Sequence, residues 1–519
     1  MHINKSIFKY NDKFKISHIS FSLIFTITLF IIYNSVNIEK ISHWFIIDGN
    51  IDYVPLIAYL FFAWTFFLAF FLFFAHRYLI KFVAIIFIML SATATYFTAK
   101  YNVFIDSTMV MNTFYTDTGE AMGLLSTNML TYVIFLIIIP IFLVLKAKIN
   151  FKSRGKHLLS SVLLFIISLS IGVGLVYLNF DAIHRAGNIS KKDILYQLVP
   201  VNIITGLGGV VQEISAPYFK KNQQDIKITG KVSKQDNIVV VLVIGEAARQ
   251  KSMSLYGYDR KNTNPVLAKY EGLHLLNGIA RLGSTIYALP EILAKNDIKL
   301  ATITSKLGVK TACYVNYTMY DNCDAVGETR VDNCKYGDKC YDEDVLPLLE
   351  NNLKNHKSGQ SLVILHMGGG SHGPTYKDRH PVEFQAFKPQ CDDADVINRC
   401  TPEELYNSYD NTILYTDYVL GKIIDTLEQY KNKAPYVFIY LSDHGESLLE
   451  NGRIFHGMPP GMSLPPEQAQ VPLIIKSSIP IEIKKFKEYK QPYVFDTVLD
   501  LLSIQTGIFN KDKVFIIKK

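Results

Sequence analysis

The stretch Ile238-Val-Val-Val-Leu-Val-Ile-Gly245-Glu246 is a run of aliphatic residues closed by a glycine and a carboxylate, and Tyr436-Val-Phe-Ile-Tyr-Leu-Ser-Asp443-His444-Gly445-Glu446 repeats the design later in the chain. An apolar run without polar alternation predicts a strand buried on both faces, the kind found in parallel sheets covered by helices. Further strand candidates are 300–304, 312–316, 362–366 and 471–475. Helical patterns stand at 287–295, 344–355 and 402–429, the last opened by Thr401 with Glu404 three residues on, a capping box. Strands alternating with helices indicate a mostly parallel α/β sheet, and in such sheets the active site lies beyond the carboxyl ends of the strands.

Both quoted runs end in hard-metal ligands. Glu246 after one strand and Asp443-His444 after another converge on one crevice and offer an O,O,N set suited to zinc with one position left over. Glu246 alone would read as a carboxylate at a helix N-terminus; its pairing with Asp443-His444 favours the metal. Gly283-Ser284-Thr285, just before the helical pattern, supplies a hydroxyl for that position. A metal-bound hydroxyl ionises more easily, and helix N–H groups favour an incoming phosphate. Position alone leaves open whether Ser284 or Thr285 is the nucleophile or an N-cap. His372 in Gly-Gly-Gly-Ser-His-Gly-Pro and His456 in Ile-Phe-His-Gly-Met stand in loops where packing explains a histidine poorly. Neutral histidine donates to phosphate oxygens, ligates a second metal or shuttles a proton. His366, at a strand end, also reads as a satisfied core residue.

Before this α/β region the composition changes. The whole chain of 519 residues is 49% hydrophobic and only 19% charged, against about 25% charged in soluble domains. Segments 19–37, 54–75, 82–99, 129–145 and 158–178 contain no Asp, Glu, Lys or Arg. Each has about the length needed to cross a ~30 Å hydrocarbon core. Five spans are expected, the fourth containing Pro140, which a membrane helix tolerates if neighbours satisfy the freed carbonyl. The order is a transmembrane domain at 1–178, a connector at 179–235 that reads either as amphipathic pieces for the membrane surface or as an ordinary linker, and a catalytic domain at 236–519.

Lys5, Lys9, Lys13 and Lys15, then Arg77 and Lys81, then Lys146, Lys148, Lys152, Arg154 and Lys156 mark alternate loops. By the positive-inside rule the N-terminus is cytoplasmic and everything after the fifth span lies outside. The net charge of +7 is therefore largely a topology mark, and nucleic acid is not an expected partner. All six cysteines fall between 313 and 400, without C-x-x-C knuckles, which favours disulfides in an oxidising compartment over zinc. Short separations favour the pairs Cys313–Cys323, Cys334–Cys340 and Cys391–Cys400.

Taken together, Gly245-Glu246-Ala-Ala-Arg249, Leu255-Tyr-Gly-Tyr-Asp-Arg260, Thr263-Asn-Pro265, Ser371-His-Gly-Pro374, Cys400-Thr-Pro-Glu-Glu-Leu, Asn407 to Asp417, Ser442-Asp-His-Gly-Glu-Ser447 and His456-Gly-Met458 resemble the phosphoethanolamine transferases of Gram-negative bacteria. That group includes lipid A modifying enzymes and the mobile colistin resistance enzymes. The resemblance runs over almost the whole chain and implies a five-helix membrane bundle joined to an alkaline phosphatase/sulfatase-like domain. It implies zinc at Glu246, Thr285, Asp443 and His444, with Thr285 the nucleophile, anchored by Pro290 five residues on, and room for a second zinc near His372 and His456. It implies substrate contacts from Asn112, Thr116, Glu120, Asn316, His372 and His456.

The implied partners are phosphatidylethanolamine as donor and lipid A, core oligosaccharide or another surface acceptor, with the chain a monomer in the bacterial inner membrane and its catalytic domain periplasmic. Four departures stand out. Ala247 replaces the usual Thr or Ser, Tyr320 the lysine expected after Asn316, and Glu291 one of the cysteines that flank the nucleophile in many relatives. One extra glycine precedes Ser371, which unsettles the alignment of His366. Rival readings are a phosphoglycerol transferase or sulfatase-like hydrolase of the same fold, and a membrane-anchored binding protein without catalysis.

Overall fold

The computed structural model describes residues 15–519 apart from 48, 102, 104, 116–126, 152–153, 191–192, 220–229, 317–322, 324–325, 328, 332–339, 394–395 and 459–461. The chain divides into two compact units, one of residues 1–111 with 126–216 and one of residues 112–125 with 217–519.

Among the described residues of the first unit four helices are long and apolar enough to cross a membrane: Tyr53–Phe74, Ile80–Tyr101, Met129–Lys146 and Leu159–Leu178. A fifth crossing exists if the bent pair His18–Tyr33 and Ser35–Phe45 counts as one span. The expected first span, 19–37, is thus broken: the two helices meet at 65°. The break falls at Asn34, whose amide bonds both backbone groups of Val199, accepting from its N–H at 2.8 Å and donating to its carbonyl at 2.5 Å. A side chain engaged with a distant segment on both sides fixes the chain's direction there. The span with Pro140 contains a π-helical segment, Val133–Ile138. Proline has no N–H for the carbonyl four residues back, which is Leu136, and the Tyr33 hydroxyl donates to that carbonyl instead. The helices Phe180–Ile189 and Val201–Phe219 follow. Ala186, Ile194 and Leu198 of this stretch share a buried cluster with Phe30, Ile41, Phe45 and Leu56.

The second unit is built on a sheet of β1 (Ile238–Gly245), β2 (His274–Ile279), β3 (Lys310–Val315), β4 (Thr329–Arg330), β5 (Gln360–Met367), β6 (Tyr436–Ser442), β7 (Gln470–Ser477) and β8 (Tyr489–Lys490). Its order is β4-β3-β5-β1-β6-β7-β2-β8. Neighbours run parallel except where β7 meets β6 and β2. Every residue of β1, β5 and β6 is buried, which is why these strands show no polar alternation. In the register, Gly245 lies opposite both Met367 and Ser442. The residues that follow, Glu246, Gly368 and Asp443, therefore emerge together at one edge.

One expected strand is a helix. Residues 300–304 lie in the helix Leu300–Lys306, with Leu300, Ala301, Ile303 and Thr304 buried, a helical spacing that so short an apolar run does not reveal. The Thr304 hydroxyl donates to the carbonyls of Leu300 and Ala301, both at 3.1 Å, the back-bond that lets a β-branched residue sit in a helix. The long helix Pro402–Tyr430 begins at the Thr401 capping box. Its buried Asp417 accepts the backbone N–H groups of Val266 and Leu267 at 2.7 and 3.0 Å. Cys313–Cys323 and Cys391–Cys400 are bonded. Cys340 is also disulfide-bonded, and Cys334 lies outside the described residues.

The burial of β1 fixes one expectation. Leu242 is fully buried in the central core, so Leu242→Ala should destabilise the folded chain by about 2–5 kcal/mol, read as a lowered thermal midpoint of the detergent-solubilised protein. An unchanged midpoint would contradict the central place of β1.

Candidate active site

Glu246, Asp443 and His444 bring one ligand atom each to within 4.8 Å of one another, and all three are buried. Each follows directly from the ends of β1 and β6. Asp443 Oδ1 accepts the N–H of Ala247 at 3.0 Å and of His444 at 2.7 Å, which turns Oδ2 toward His444 Nε2, 3.2 Å away. That Oδ2 atom is buried and accepts no hydrogen bond. His444 Nδ1 donates to the Gly445 carbonyl at 3.0 Å, leaving the Nε2 lone pair facing Glu246 Oε1 at 3.4 Å. Burial pushes the His444 imidazole below the ordinary histidine range, with Asp443 opposing. A neutral imidazole and two carboxylates aimed at one point, one with an orphaned oxygen, fit a divalent cation of the zinc type.

Thr285 opens the helix Thr285–Leu293, and Ser284 is its N-cap residue. The Thr285 hydroxyl lies 3.0 Å from Glu246 Oε2 and 3.3 Å from His444 Nε2. Thus the geometry puts Thr285 in the cluster and gives Ser284 the cap position, a division that position in sequence leaves open. The segment ahead of the helix is closed by an ion pair, Arg281 Nη1 to Glu291 Oε1 at 3.5 Å. Ala247 takes a positive φ of 55°, a backbone state that a β-branched residue tolerates less well, so alanine suits the turn after Glu246.

His372 and His456 gather beside this cluster. Their rings are 4.5 Å apart between centroids, and His456 lies 4.2 Å from His444. Behind them stands Glu446, fully buried, which sequence reading passes over although it follows His444 by two residues. Its Oε2 is 2.8 Å from His456 Nδ1, and its Oε1 accepts from the Gly373 N–H at 3.1 Å and the Tyr376 hydroxyl at 3.0 Å. One carboxylate thereby ties together the loops that carry both histidines and orients the His456 ring through its Nδ1.

His366 is buried at the end of β5, with Nε2 making no hydrogen bond. Burial lowers its pKa and Asp443 opposes that shift. Asn316, just past β3, donates to Asp342 Oδ1 at 2.7 Å. Asn112 falls in the helix Ser107–Tyr115, its side chain outside the described residues, as are Thr116, Glu120 and Tyr320.

This arrangement of sheet, strand-end ligands and helix-borne hydroxyl defines a sulfatase-type α/β enzyme, and residues 238–504 match the sulfatase family profile. Residues 63–214 match the profile described as phosphoethanolamine transferase EptA/EptB. The phosphoethanolamine transferase EptA of Helicobacter pylori is 32% identical over 436 residues, 78% of this chain and 78% of its own. The phosphatidylethanolamine transferase Mcr-1 of Escherichia coli is 28% identical over 469 residues, 84% of this chain and 85% of its own. The structure of the integral membrane protein lipooligosaccharide phosphoethanolamine transferase A (EptA) from Neisseria meningitidis aligns with a TM-score of 0.79 at 25% identity, covering 95% of this chain and 97% of that one. The chain belongs to the phosphoethanolamine transferase family.

The histidine cluster has a pH signature. Burial pushes His372 well below the ordinary histidine range, and His456 and Arg379 add to the shift. A histidine held neutral in the folded chain and free to protonate in the unfolded one contributes stability that is complete above about pH 6.5. That contribution is lost progressively as the pH falls below this unfolded value toward the folded one. The thermal midpoint of chelated protein should therefore drop between about pH 7.5 and about pH 5.5, and His372→Gln should remove part of the drop. An identical slope in that variant would contradict the buried neutral assignment.

Proposed function

We propose that the chain moves phosphoethanolamine from phosphatidylethanolamine to lipid A, core oligosaccharide or another surface acceptor, through a covalent intermediate on Thr285. The observation that carries this reading is the Thr285 hydroxyl within 3.0 Å of Glu246 and 3.3 Å of His444 at the head of a helix. Zinc held by Glu246, Asp443 and His444 would supply Lewis acidity, lowering the pKa of the Thr285 hydroxyl and polarising a phosphoryl oxygen. Glu246 and His444 flank that hydroxyl, and its proton passes to Glu246 Oε2, 3.0 Å away. The threonine oxygen then bonds to phosphorus while the bond to the diacylglycerol oxygen breaks, and that oxygen leaves with a proton. In the second step an acceptor phosphate or hydroxyl oxygen attacks the same phosphorus, the bond to the Thr285 oxygen breaks with its electron pair staying on that oxygen, and a proton, the acceptor's own where it is a hydroxyl, restores the threonine hydroxyl. His372 and His456 assist proton transfer at the phosphoryl group, with His456 set by Glu446; a second zinc near them is compatible with these two ligands. Asn112, Thr116 and Glu120 are assigned to the donor lipid.

The donor follows the name of Mcr-1, and a lipooligosaccharide acceptor follows that of the Neisseria enzyme. We place the chain in the bacterial inner membrane with a cytoplasmic N-terminus, on the basic loops described above. In this reading residues 1–178 are the anchor, 179–235 the connector and 236–519 a periplasmic catalytic domain, working as a monomer. An added ethanolamine ammonium offsets phosphate charge on the outer surface and weakens the attraction of cationic antimicrobial peptides. The sulfatase-like hydrolase and phosphoglycerol transferase readings share the soluble fold, but the match of the membrane region to EptA/EptB favours phosphoethanolamine.

Two outcomes test the reading. Protein incubated with phosphatidylethanolamine should gain a phosphoethanolamine adduct by intact-mass spectrometry, absent in Thr285→Ala; an adduct that survives the substitution moves the nucleophile elsewhere. Exhaustive chelation should abolish turnover and leave the disulfide-closed domain folded, and turnover that persists would refute the metal mechanism.

A further inference from the structure

The segment Gly368-Gly369-Gly370-Ser371 precedes His372 and has the composition of a phosphate-cradling loop. Its N–H groups are engaged elsewhere. Gly368 donates to Asn316 Oδ1 at 2.9 Å, Gly369 to Asp342 Oδ1 at 3.0 Å, Gly370 to Asp342 Oδ2 at 3.1 Å and Ser371 to the Glu246 carbonyl at 2.9 Å. Asp342 is fully buried and also accepts from Asn316 Nδ2 at 2.7 Å. Accepting three hydrogen bonds on two oxygens suits a carboxylate, which has acceptor sites and nothing to donate.

The glycines fit this clamp sterically. A Cβ on Gly369 would lie 2.7 Å from Asp342 Oδ1, and one on Gly370, where φ is +28°, would lie 2.4 Å from the Glu246 carbonyl oxygen. The loop is thus pressed between the Asp342 carboxylate and the backbone of Glu246. Beyond it, the Thr412 hydroxyl donates to Ser371 Oγ at 2.8 Å, and Arg379 Nε donates to the His372 carbonyl at 3.1 Å. Asn316 spends its carbonyl oxygen and one N–H inside the same assembly.

We propose that Asp342 is a positioning residue for the transfer reaction: with Asn316 it clamps the glycine loop against Glu246 and so fixes where the His372 imidazole meets the phosphoryl group. This rests on the phosphoethanolamine-transfer reading for what His372 touches. It gives the loop's glycines a role in close approach rather than in anion binding. Asn316 becomes the second member of the clamp.

The test is a double-mutant cycle on full-length, zinc-loaded protein in detergent with phosphatidylethanolamine, reading adduct formation, kcat and KM. Asp342→Asn should lower kcat by on the order of tenfold to a hundredfold, with bound zinc retained and donor KM little changed. Because clamp and imidazole act as one unit, the same substitution in His372→Ala should lower the residual turnover by less than about threefold. An equal loss in both backgrounds, or no loss in wild type, overturns the proposal, since a residue serving stability alone would act additively. If Asp342→Asn does not fold, Asn316→Ala against His372→Ala runs the same cycle with the same criteria. Wild-type protein that forms no adduct would sink the transfer reading and this proposal with it; an adduct with additive losses would sink the proposal alone.

Discussion

The parallel register that sets Gly245 against Ser442 on one side and Met367 on the other governs the rest of the site. Three fully buried strands end level, so the next residue of each enters one crevice. Two of those residues, Glu246 and Asp443, are acids, and both are buried. Carboxylates this near each other in a poorly solvated place repel unless a cation or proton lies between them. The orphaned Asp443 Oδ2 and the Nε2 face of His444 answer that need in the same direction. Thr285 comes from outside these three strands, carried to the cluster by the helix that follows β2. The sheet therefore supplies the ligands and a separate element supplies the hydroxyl.

Much of this is legible in sequence because its causes are local. Continuous apolar runs report burial on both faces, and the residues closing them report what stands at the sheet edge. The capping box at Thr401 marks a helix start in the same local way. What escapes depends on distant partners. The break at Asn34 comes from hydrogen bonds to Val199, which no window around residue 34 contains. The helix at 300–306 carries the β-branched residues of a strand, and its Thr304 back-bonds become visible only once the turn exists. β2 has exposed Leu275 and Asn277 and a glycine next to its end, so it lacks the apolar run that marks β1 and β6. In the candidate site, position alone left Ser284 and Thr285 open and the family resemblance favoured Thr285, whose hydroxyl lies 3.0 Å from Glu246 while Ser284 takes the N-cap position. Glu446 and Asp342 were missed for a related reason: they act on loops rather than at the centre, and only tertiary contacts show it.

Buried carboxylates recur in this domain as organisers of irregular backbone. Asp417 holds the N–H groups of Val266 and Leu267, Glu446 holds Gly373 and His456, and Asp342 holds Gly369 and Gly370. Loops at a strand edge expose N–H groups that no ladder can satisfy, and leaving them unpaired inside a protein costs about as much as a lost hydrogen bond. An ionised acid meets two or three of them at once with short, directional bonds. The same device gives shape to the sequence between secondary elements, where the histidines are found.

The Arg281–Glu291 pair has a further consequence. The disulfides Cys313–Cys323 and Cys391–Cys400 close loops beyond the segment ahead of Thr285, where the backbone bond from the Ala280 N–H to the Ala469 carbonyl at 2.8 Å is joined by the Arg281–Glu291 ion pair. Its arginine is more than half exposed, so this tether contributes at most about 1 kcal/mol and weakens with added salt. Thiol reductants would slacken the cysteine-bridged loops and leave the approach to Thr285 as it was. Electrolyte would do the reverse. The ion pair beside Thr285 thus responds to ionic strength, while the cysteine-bridged loops respond to redox conditions.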